Sequence, residues 1–132
     1  MVQYGRSFPD PDAERRRFLD QIRGMELLPE ALKSKLPKLY SGEKLGLEAI
    51  AKVKFFTPDA NWSWYGSEYD GQDIFFGLVV GHEIDLAYFS LMELRGIQGP
   101  MGLPIERDLY FEPKTLGLLI DWCRQRITCR FL

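Results

Sequence analysis

The stretch NWSWYGSEYDGQDIFFGLVVGHEIDLAYFSL, residues 61–91, decides the fold of this chain. Its apolar runs are rich in aromatic and β-branched residues, which favour strands. Asp70 and Gly71 are a strong signal for a two-residue hairpin turn, and a second turn follows near Gly81. With the preceding KVKFF and the later ERDLYF, the pattern predicts an antiparallel meander of about four to five strands.

Helices are predicted before the sheet. Asp10 is typical of a helix start and Gly24 of a helix end, so residues 1–24 are predicted to form a helical extension. Residues 29–36 predict a second short helix, which Pro37 ends because proline cannot continue it. The segment SGEKLGLEAIA then predicts a loop with one helical turn.

Helices are also predicted after the sheet. Residues 90–99 read as a helical turn, and Pro113 opens a C-terminal helix and tail over residues 113–132. The apolar face of that helix recurs at helical spacing and contains Leu116, Leu119, Ile120, Cys123 and Ile127. We therefore expect one α+β domain over residues 1–132, an antiparallel β-meander packed with N- and C-terminal helices.

The two predicted hairpin turns assign each strand residue to a face of the sheet. A two-residue turn in the first hairpin sets Trp64 opposite Gly77 and Gly66 opposite Phe75, so each glycine faces an aromatic ring. A second two-residue turn brings Ile84 to the same face as Trp64. The predicted structural core on this apolar face is Trp62, Trp64, Phe75, Gly77, Val79, Leu86 and Tyr88.

The opposite face is mixed in character. It contains Ser63, Tyr65, Ser67, Ile74, Phe76, Leu78, Asp85, Ala87 and Phe89, and the same register sets Glu68 opposite Asp73. This face is either covered within the monomer or left partly open as a partner surface, which requires Tyr65 and Phe89 to be exposed. The candidate partner-binding residues are Tyr65, Glu68, Asp70, Asp85, Phe89, Glu106 and Arg107.

The formal charge of −2 is unevenly distributed along the chain. Residues 55–112 carry two arginines against ten acids, and the segments on either side each carry a net charge of +3. A phosphate backbone is repelled by the acidic centre, so nucleic acid is not the favoured partner. Nucleic-acid contact through Arg15, Arg16 and Arg17 and the C-terminal arginines remains an alternative to a solvated surface.

Other features predict a cytoplasmic protein. No apolar stretch is long enough for a membrane span, and the N-terminus lacks a secretory apolar run. Cys123 and Cys129 form neither a CxxC pair nor a disulfide framework, so we expect reduced thiols.

The chain offers little catalytic chemistry. His82 lies in a predicted turn with no second histidine, which favours a turn residue over a metal ligand or a catalytic base. No phosphate-binding glycine motif is present. We expect no cofactor and no metal. The remaining enzymatic alternative is a metal-dependent hydrolase or nuclease that uses clustered carboxylates such as Glu68 and Glu106.

A family resemblance covers about residues 27–116. The matching segments are LLPEALKSKLPKLY, KFFTP, NWSWY, FFG, YFSL, EL, GP, GL and IERDL, with Glu68, Glu83 and Phe111. In these segments the chain resembles an uncharacterised bacterial family, a domain of unknown function found on conjugative plasmids and other mobile DNA. The chain has Ala87 where family members often have glycine.

The resemblance implies a genetic setting and no catalytic residue. Accessory proteins of mobile DNA act in transfer or protect incoming DNA from host defence. We therefore expect a non-enzymatic protein that binds a host or element-encoded protein, including a restriction or CRISPR effector. The sequence does not predict an oligomeric state.

Overall fold

The computed structural model describes residues 27–131, with side chains to residue 125, so the predicted helix over residues 1–24 lies outside the described part. The helices are α1 (Glu30–Lys33), a 3-10 helix (Gly46–Glu48), α2 (Leu91–Gly96) and α3 (Leu116–Phe131). The strands are β1 (Ile50–Ala51), β2 (Val53–Phe56), β3 (Ser63–Tyr69), β4 (Ile74–Val80), β5 (Ile84–Ser90), β6 (Glu106–Arg107) and β7 (Lys114–Thr115).

The strands form two antiparallel sheets. The larger has the order β5-β4-β3-β2-β6, and the smaller pairs β1 with β7. The four consecutive strands β2 to β5 form a meander, and β6 is the predicted fifth strand. The predicted α+β class with an antiparallel meander is confirmed. The predicted helix over residues 29–36 is reduced to the single turn α1.

One face of the sheet, called the Trp64 face below, carries the larger core. Phe75 is fully buried at its centre, with Phe55 edge-on at 5.6 Å and Phe89 stacked at 5.1 Å between ring centroids. Helix α2 closes this core. The Ser90 hydroxyl caps the N-terminus of α2 by accepting the N–H of Glu93 at 3.2 Å. The cluster comprises Leu27, Leu28, Val53, Phe55, Trp64, Tyr69, Phe75, Phe89, Leu91, Leu94 and Ile105.

The opposite face, called the Tyr65 face, is covered by the C-terminal helix. Leu116, Leu119 and Cys123 of α3 are buried against Tyr65 and Leu78, as the helical spacing of the sequence predicts. The small sheet fixes the start of this helix, because the Leu116 N–H donates to the Ala49 carbonyl at 2.9 Å.

The register of the first hairpin differs from the prediction. Trp64 pairs with Val79, and Gly66 pairs with Gly77, because the loop spans residues 70–73 and a bulge lies between Gly66 and Glu68. Glu68 therefore lies opposite Phe76, and the predicted Glu68–Asp73 pair is wrong. The predicted contact between Gly66 and the Phe75 ring is present, although the two residues are diagonal neighbours and not a direct pair. A Cβ added at Gly66 would lie 2.8 Å from Phe75 Cδ1.

The second hairpin overturns the face assignment of β5. Val80 pairs with Ile84, so the loop has three residues, 81–83, instead of two. Each added loop residue inverts which side chains of the next strand point to a given face. The prediction that Leu86 and Tyr88 belong to the core is therefore wrong: they lie on the Tyr65 face and are 40% and 53% exposed.

The same inversion decides between the two alternatives for the mixed face. Asp85, Ala87 and Phe89 lie on the Trp64 face, and Phe89 is only 8% exposed. Tyr65 is only 2% exposed beneath α3. An open face that presents Tyr65 and Phe89 is therefore wrong. The Tyr65 face is covered at its centre by α3 and is exposed near the outer strand β5.

Candidate functional site

The predicted partner-binding residues do not form one surface. Tyr65, Glu68 and Glu106 lie on the Tyr65 face, and Asp85, Phe89 and Arg107 lie on the Trp64 face. Asp70 lies in the loop between β3 and β4. Tyr65, Glu68 and Phe89 are buried, and burial also lowers the pKa of Arg107. Arg15, Arg16 and Arg17 lie outside the described residues, so their contact remains a prediction.

Glu68 is a structural residue. Its carboxylate accepts the backbone N–H of Tyr40 at 2.8 Å and that of Gly42 at 2.7 Å. A Cβ at Gly42 would lie 2.6 Å from Glu68 Oε2, so only glycine allows this approach. Tyr40 adopts a left-handed φ of 69°, which directs the loop over the carboxylate. Both carboxylate oxygens of Glu68 therefore hold the loop before β1 against β3.

The acids of the first hairpin are also engaged with the backbone. Asp70 Oδ1 accepts the N–H groups of Asp73, Gln72 and Ile74 at 2.7, 2.8 and 3.0 Å, and these backbone hydrogen bonds lower the pKa of Asp70. Asp73 accepts the Ser90 hydroxyl and the N–H of Met92. These bonds explain the long loop: the Asp70 side chain closes it, in place of a two-residue turn.

The two carboxylates of the hydrolase alternative are far apart. Glu68 lies five residues along β3 from Ser63, which is the residue level with Glu106 across β2. At about 3.3 Å per residue, this is roughly 16 Å along the sheet. Within residues 27–131, no group of three or more histidine, cysteine or acidic side chains is arranged to hold a metal. His82 is exposed in its loop, edge-on to Trp62 at 5.4 Å.

A concave site lies instead between the sheet, the segment before β7 and α3. It consists of two adjoining cavities of about 330 Å³ each, which share Lys54, Tyr65 and Trp122. We call it the aromatic groove. Its two ends are lined by Phe56, Thr57, Ala60, Asn61, Trp62, Ser63, Val80, Gly81 and Cys123, and by Asp108, Tyr110, Phe111, Glu112, Lys114, Leu118 and Leu119.

Lys54 is the central charged group of the aromatic groove. Its Nζ lies 3.6 Å from Asp108 Oδ2, and 5.6 and 5.9 Å from the ring centroids of Tyr65 and Phe56. The Asp108 N–H donates to the Lys54 carbonyl at 2.9 Å, which fixes the segment after β6 beside β2. The amine therefore sits within reach of a carboxylate and two aromatic rings, an arrangement that keeps it in place.

The rim of the aromatic groove is apolar and exposed. Tyr110 is 91% exposed, and Leu118 and Trp122 are about half exposed. Buried sites with exposed aromatic rims are typical of ligand and protein contacts, since tyrosine and tryptophan are enriched among the residues that dominate binding energy. The groove can thus receive an apolar side chain, and Lys54 or Asp108 can hydrogen-bond to a polar group of the partner beside it.

Sequence reasoning missed this site. Lys54, Asp108 and Trp122 are distant in sequence and converge only when β6 and α3 pack beside β2. One signal was present: the predicted apolar face of the C-terminal helix does not include Trp122, and tryptophan is enriched at contact surfaces.

A second concavity, of about 410 Å³, lies at the open end of the Tyr65 face. Tyr40, Leu47, Leu86 and Tyr88 line it, and Glu68 forms part of its base. The rings of Tyr40 and Tyr88 are 6.2 Å apart, and desolvation and the neighbouring Tyr40 raise the pKa of Tyr88. This apolar cleft adjoins the outer strand of the sheet.

These features define an α+β protein with a five-stranded antiparallel sheet and an aromatic groove beneath its C-terminal helix. The model of a family described as Protein of unknown function (DUF2958) matches residues 27–126, and the chain belongs to this family. The resemblance to an uncharacterised family is thereby confirmed, and its mobile-DNA setting remains a prediction. No curated protein and no solved structure matches the chain. In the described part, no helix has the length and hydropathy required to span a membrane.

Proposed function

We propose that this chain is a non-enzymatic protein-binding accessory protein of a mobile genetic element, and that the aromatic groove is its contact site. The observation that carries the proposal is the rim of Tyr110, Leu118 and Trp122 around the partly buried Lys54. Exposed aromatic side chains around a desolvated pocket are the usual anchors of protein contacts. Both predicted catalytic candidates, Glu68 and Glu106, lie apart, which leaves binding as the better-supported activity.

Charge indicates what kind of partner fits. The acidic block of residues 55–112 contributes β3 to β6 and the part of the groove wall that carries Asp108 and Glu112. A partner that places an apolar side chain in the groove and basic residues around it would be favoured by this field. A host defence effector or an element-encoded transfer protein satisfies these conditions, and the family resemblance supports that setting.

A matched pair of leucines tests the contact site. Leu118 and Leu109 are 55% and 57% exposed, and only Leu118 lines the groove. Leu118→Ala and Trp122→Ala are expected to weaken recovery of a specific partner from bacterial lysate by at least about fivefold, because each removes an anchor worth about 1–2 kcal/mol or more. Leu109→Ala is expected to recover the partner as the wild type does. Equal recovery by all three variants, or no specific partner at all, would contradict the proposal.

The host-defence part of the proposal has its own assay. Cells that express the chain are challenged with incoming DNA subject to restriction or to CRISPR interference, and establishment of that DNA is counted. We expect the wild type and Leu109→Ala to raise establishment and Trp122→Ala to lose the effect. A protein that binds its partner through the groove but leaves establishment unchanged would assign it to transfer instead.

A further inference from the structure

Among the described residues 27–131, the outer strand β5 is an open sheet edge of seven residues. It is a terminal strand of the larger sheet, and β4 is its sole neighbour in that part of the chain. The opposite edge of that sheet, β6, has only two residues. Natural proteins usually shorten or cover a long edge, because its unpaired N–H and C=O groups can pair with another chain.

The hydrogen bonds at the ends of β5 show which backbone groups point outward. Leu91 N–H donates to Asp73 and Gly81 N–H donates to Glu83, each at 2.9 Å. Bonded and non-bonded pairs alternate along an antiparallel ladder, so the odd-numbered residues of β5 bond to β4. Leu86 and Tyr88 therefore present their N–H and C=O groups at the edge, together with Ile84 and Ser90.

Two of these four residues, Leu86 and Tyr88, also have exposed side chains. Leu86 and Tyr88 lie on the Tyr65 face beside Tyr40 and Leu47, in the second concavity described above. An exposed apolar strip thus runs along a free hydrogen-bonding edge. This combination of backbone and side-chain features is the one that strand addition requires.

We propose that β5 is a homodimer interface, in which two copies of this chain pair antiparallel about a two-fold axis at Ala87. This register overlaps the full length of both strands. It bonds Leu86 of each copy to Tyr88 of the other, so the exposed apolar residues cover one another across the axis.

The charges of β5 fit this register. Asp85 lies opposite Phe89 of the second copy, so no two acids oppose each other. A register centred on Asp85 would set two carboxylates at the closest strand spacing, which is unfavourable. Registers centred on Leu86 or Tyr88 overlap less of the strand. The dimer is thus a continuous antiparallel sheet, and its interface is separate from the aromatic groove.

The edge-pairing test uses proline. The N–H of Leu86 points away from β4, so Leu86→Pro removes an outward donor and preserves the β4–β5 ladder. We expect the wild-type chain of 15.3 kDa to approach twice that mass in sedimentation equilibrium between about 1 and 300 µM, a range suited to a small interface. Leu86→Pro is expected to remain monomeric and folded by circular dichroism. A wild type that stays monomeric throughout, or a Leu86→Pro variant that still dimerises, would overturn the proposal.

Disulfide trapping tests the register. The two copies of residue 87 form a non-bonded antiparallel pair with Cα atoms about 4.5 Å apart, within disulfide range. Ala87→Cys is expected to give a covalent dimer under mild oxidation, well above the wild type with its native cysteines. Asp85→Cys is the matched control, because residue 85 lies opposite Phe89 of the second copy. It is expected to give no more covalent dimer than the wild type. Cross-linking at position 85 in preference to 87 would refute the proposed pairing.

Discussion

The buried carboxylate of Glu68 offers the sharpest test of the fold. Its oxygens accept two backbone N–H groups, from Tyr40 and Gly42, which lie 28 and 26 residues earlier in the chain. Glu68→Gln preserves the shape but replaces one acceptor by an NH₂ group that faces an N–H donor. One charge-assisted bond is then lost and the second becomes a neutral one.

The expected loss of stability follows from those two bonds. A hydrogen bond to a charged group contributes about 1.5–3 kcal/mol, so Glu68→Gln should lower the free energy of unfolding by about 2–3 kcal/mol. For a chain of this size the melting temperature should fall by roughly 6–15 °C. Chemical denaturation with urea, followed by circular dichroism and tryptophan fluorescence, measures the first quantity directly.

The neighbouring Glu43 supplies the control. It is exposed in the same loop, and Glu43→Gln should change stability by less than about 0.5 kcal/mol. Glu68→Ala should cost more than Glu68→Gln, because it leaves both N–H groups without an acceptor. If the free energy of unfolding of Glu68→Gln lies within about 0.5 kcal/mol of the wild-type value, Glu68 does not hold the loop, and its assignment as a structural residue is wrong.

Three further predictions concern the hairpins and the loop after α2. Gly77→Ala should lower the free energy of unfolding by about 3 kcal/mol or more in a urea titration, because its Cβ would lie 1.8 Å from the Tyr65 carbonyl oxygen. The control Gly96→Ala meets nothing within 4 Å, so it should be neutral or slightly stabilising. The pKa of Asp70 is lowered in the folded state, so its ionised carboxylate stabilises the fold above the pKa of the unfolded chain, and this stability is lost as pH falls through the folded pKa. Asp70→Asn should therefore flatten the decline of the free energy of unfolding below about pH 4. Asp59→Ala should speed hydrogen exchange at Met101, whose N–H donates to Asp59 Oδ2 at 2.7 Å; unchanged exchange would show that another contact holds this loop.

Strand positions could be predicted from the sequence because they depend on local composition. The aromatic and β-branched runs around Trp64, Phe75 and Phe89 are strands, and the apolar spacing of Leu116, Leu119 and Cys123 marks the buried side of α3. The spacing of apolar residues and the identity of turn residues are local features that extend over a few positions. They can therefore be recognised without knowing the tertiary contacts.

Register could not be predicted in the same way because it depends on loop length. The Asp70 side chain binds three backbone N–H groups in the first loop, where five residues, 70–74, separate the paired Tyr69 and Phe75. The bulge before Glu68 then restores the predicted parity of β3 relative to β4. The second loop has no such compensation. One extra residue in it transfers Leu86 and Tyr88 from the predicted core to the exposed side of the sheet.

That single residue also changes where function should be sought. With a two-residue second turn, the exposed part of the sheet would be a mixed face around Tyr65, and the edge strand would bury its apolar residues. With the observed three-residue turn, α3 covers Tyr65. The apolar side chains of β5, Leu86 and Tyr88, then line the second concavity on the exposed part of the Tyr65 face. The proposed contact surfaces are therefore the groove beside α3, which Trp62, Tyr65 and Trp122 line, and the edge at β5, in place of an open face that presents Tyr65 and Phe89.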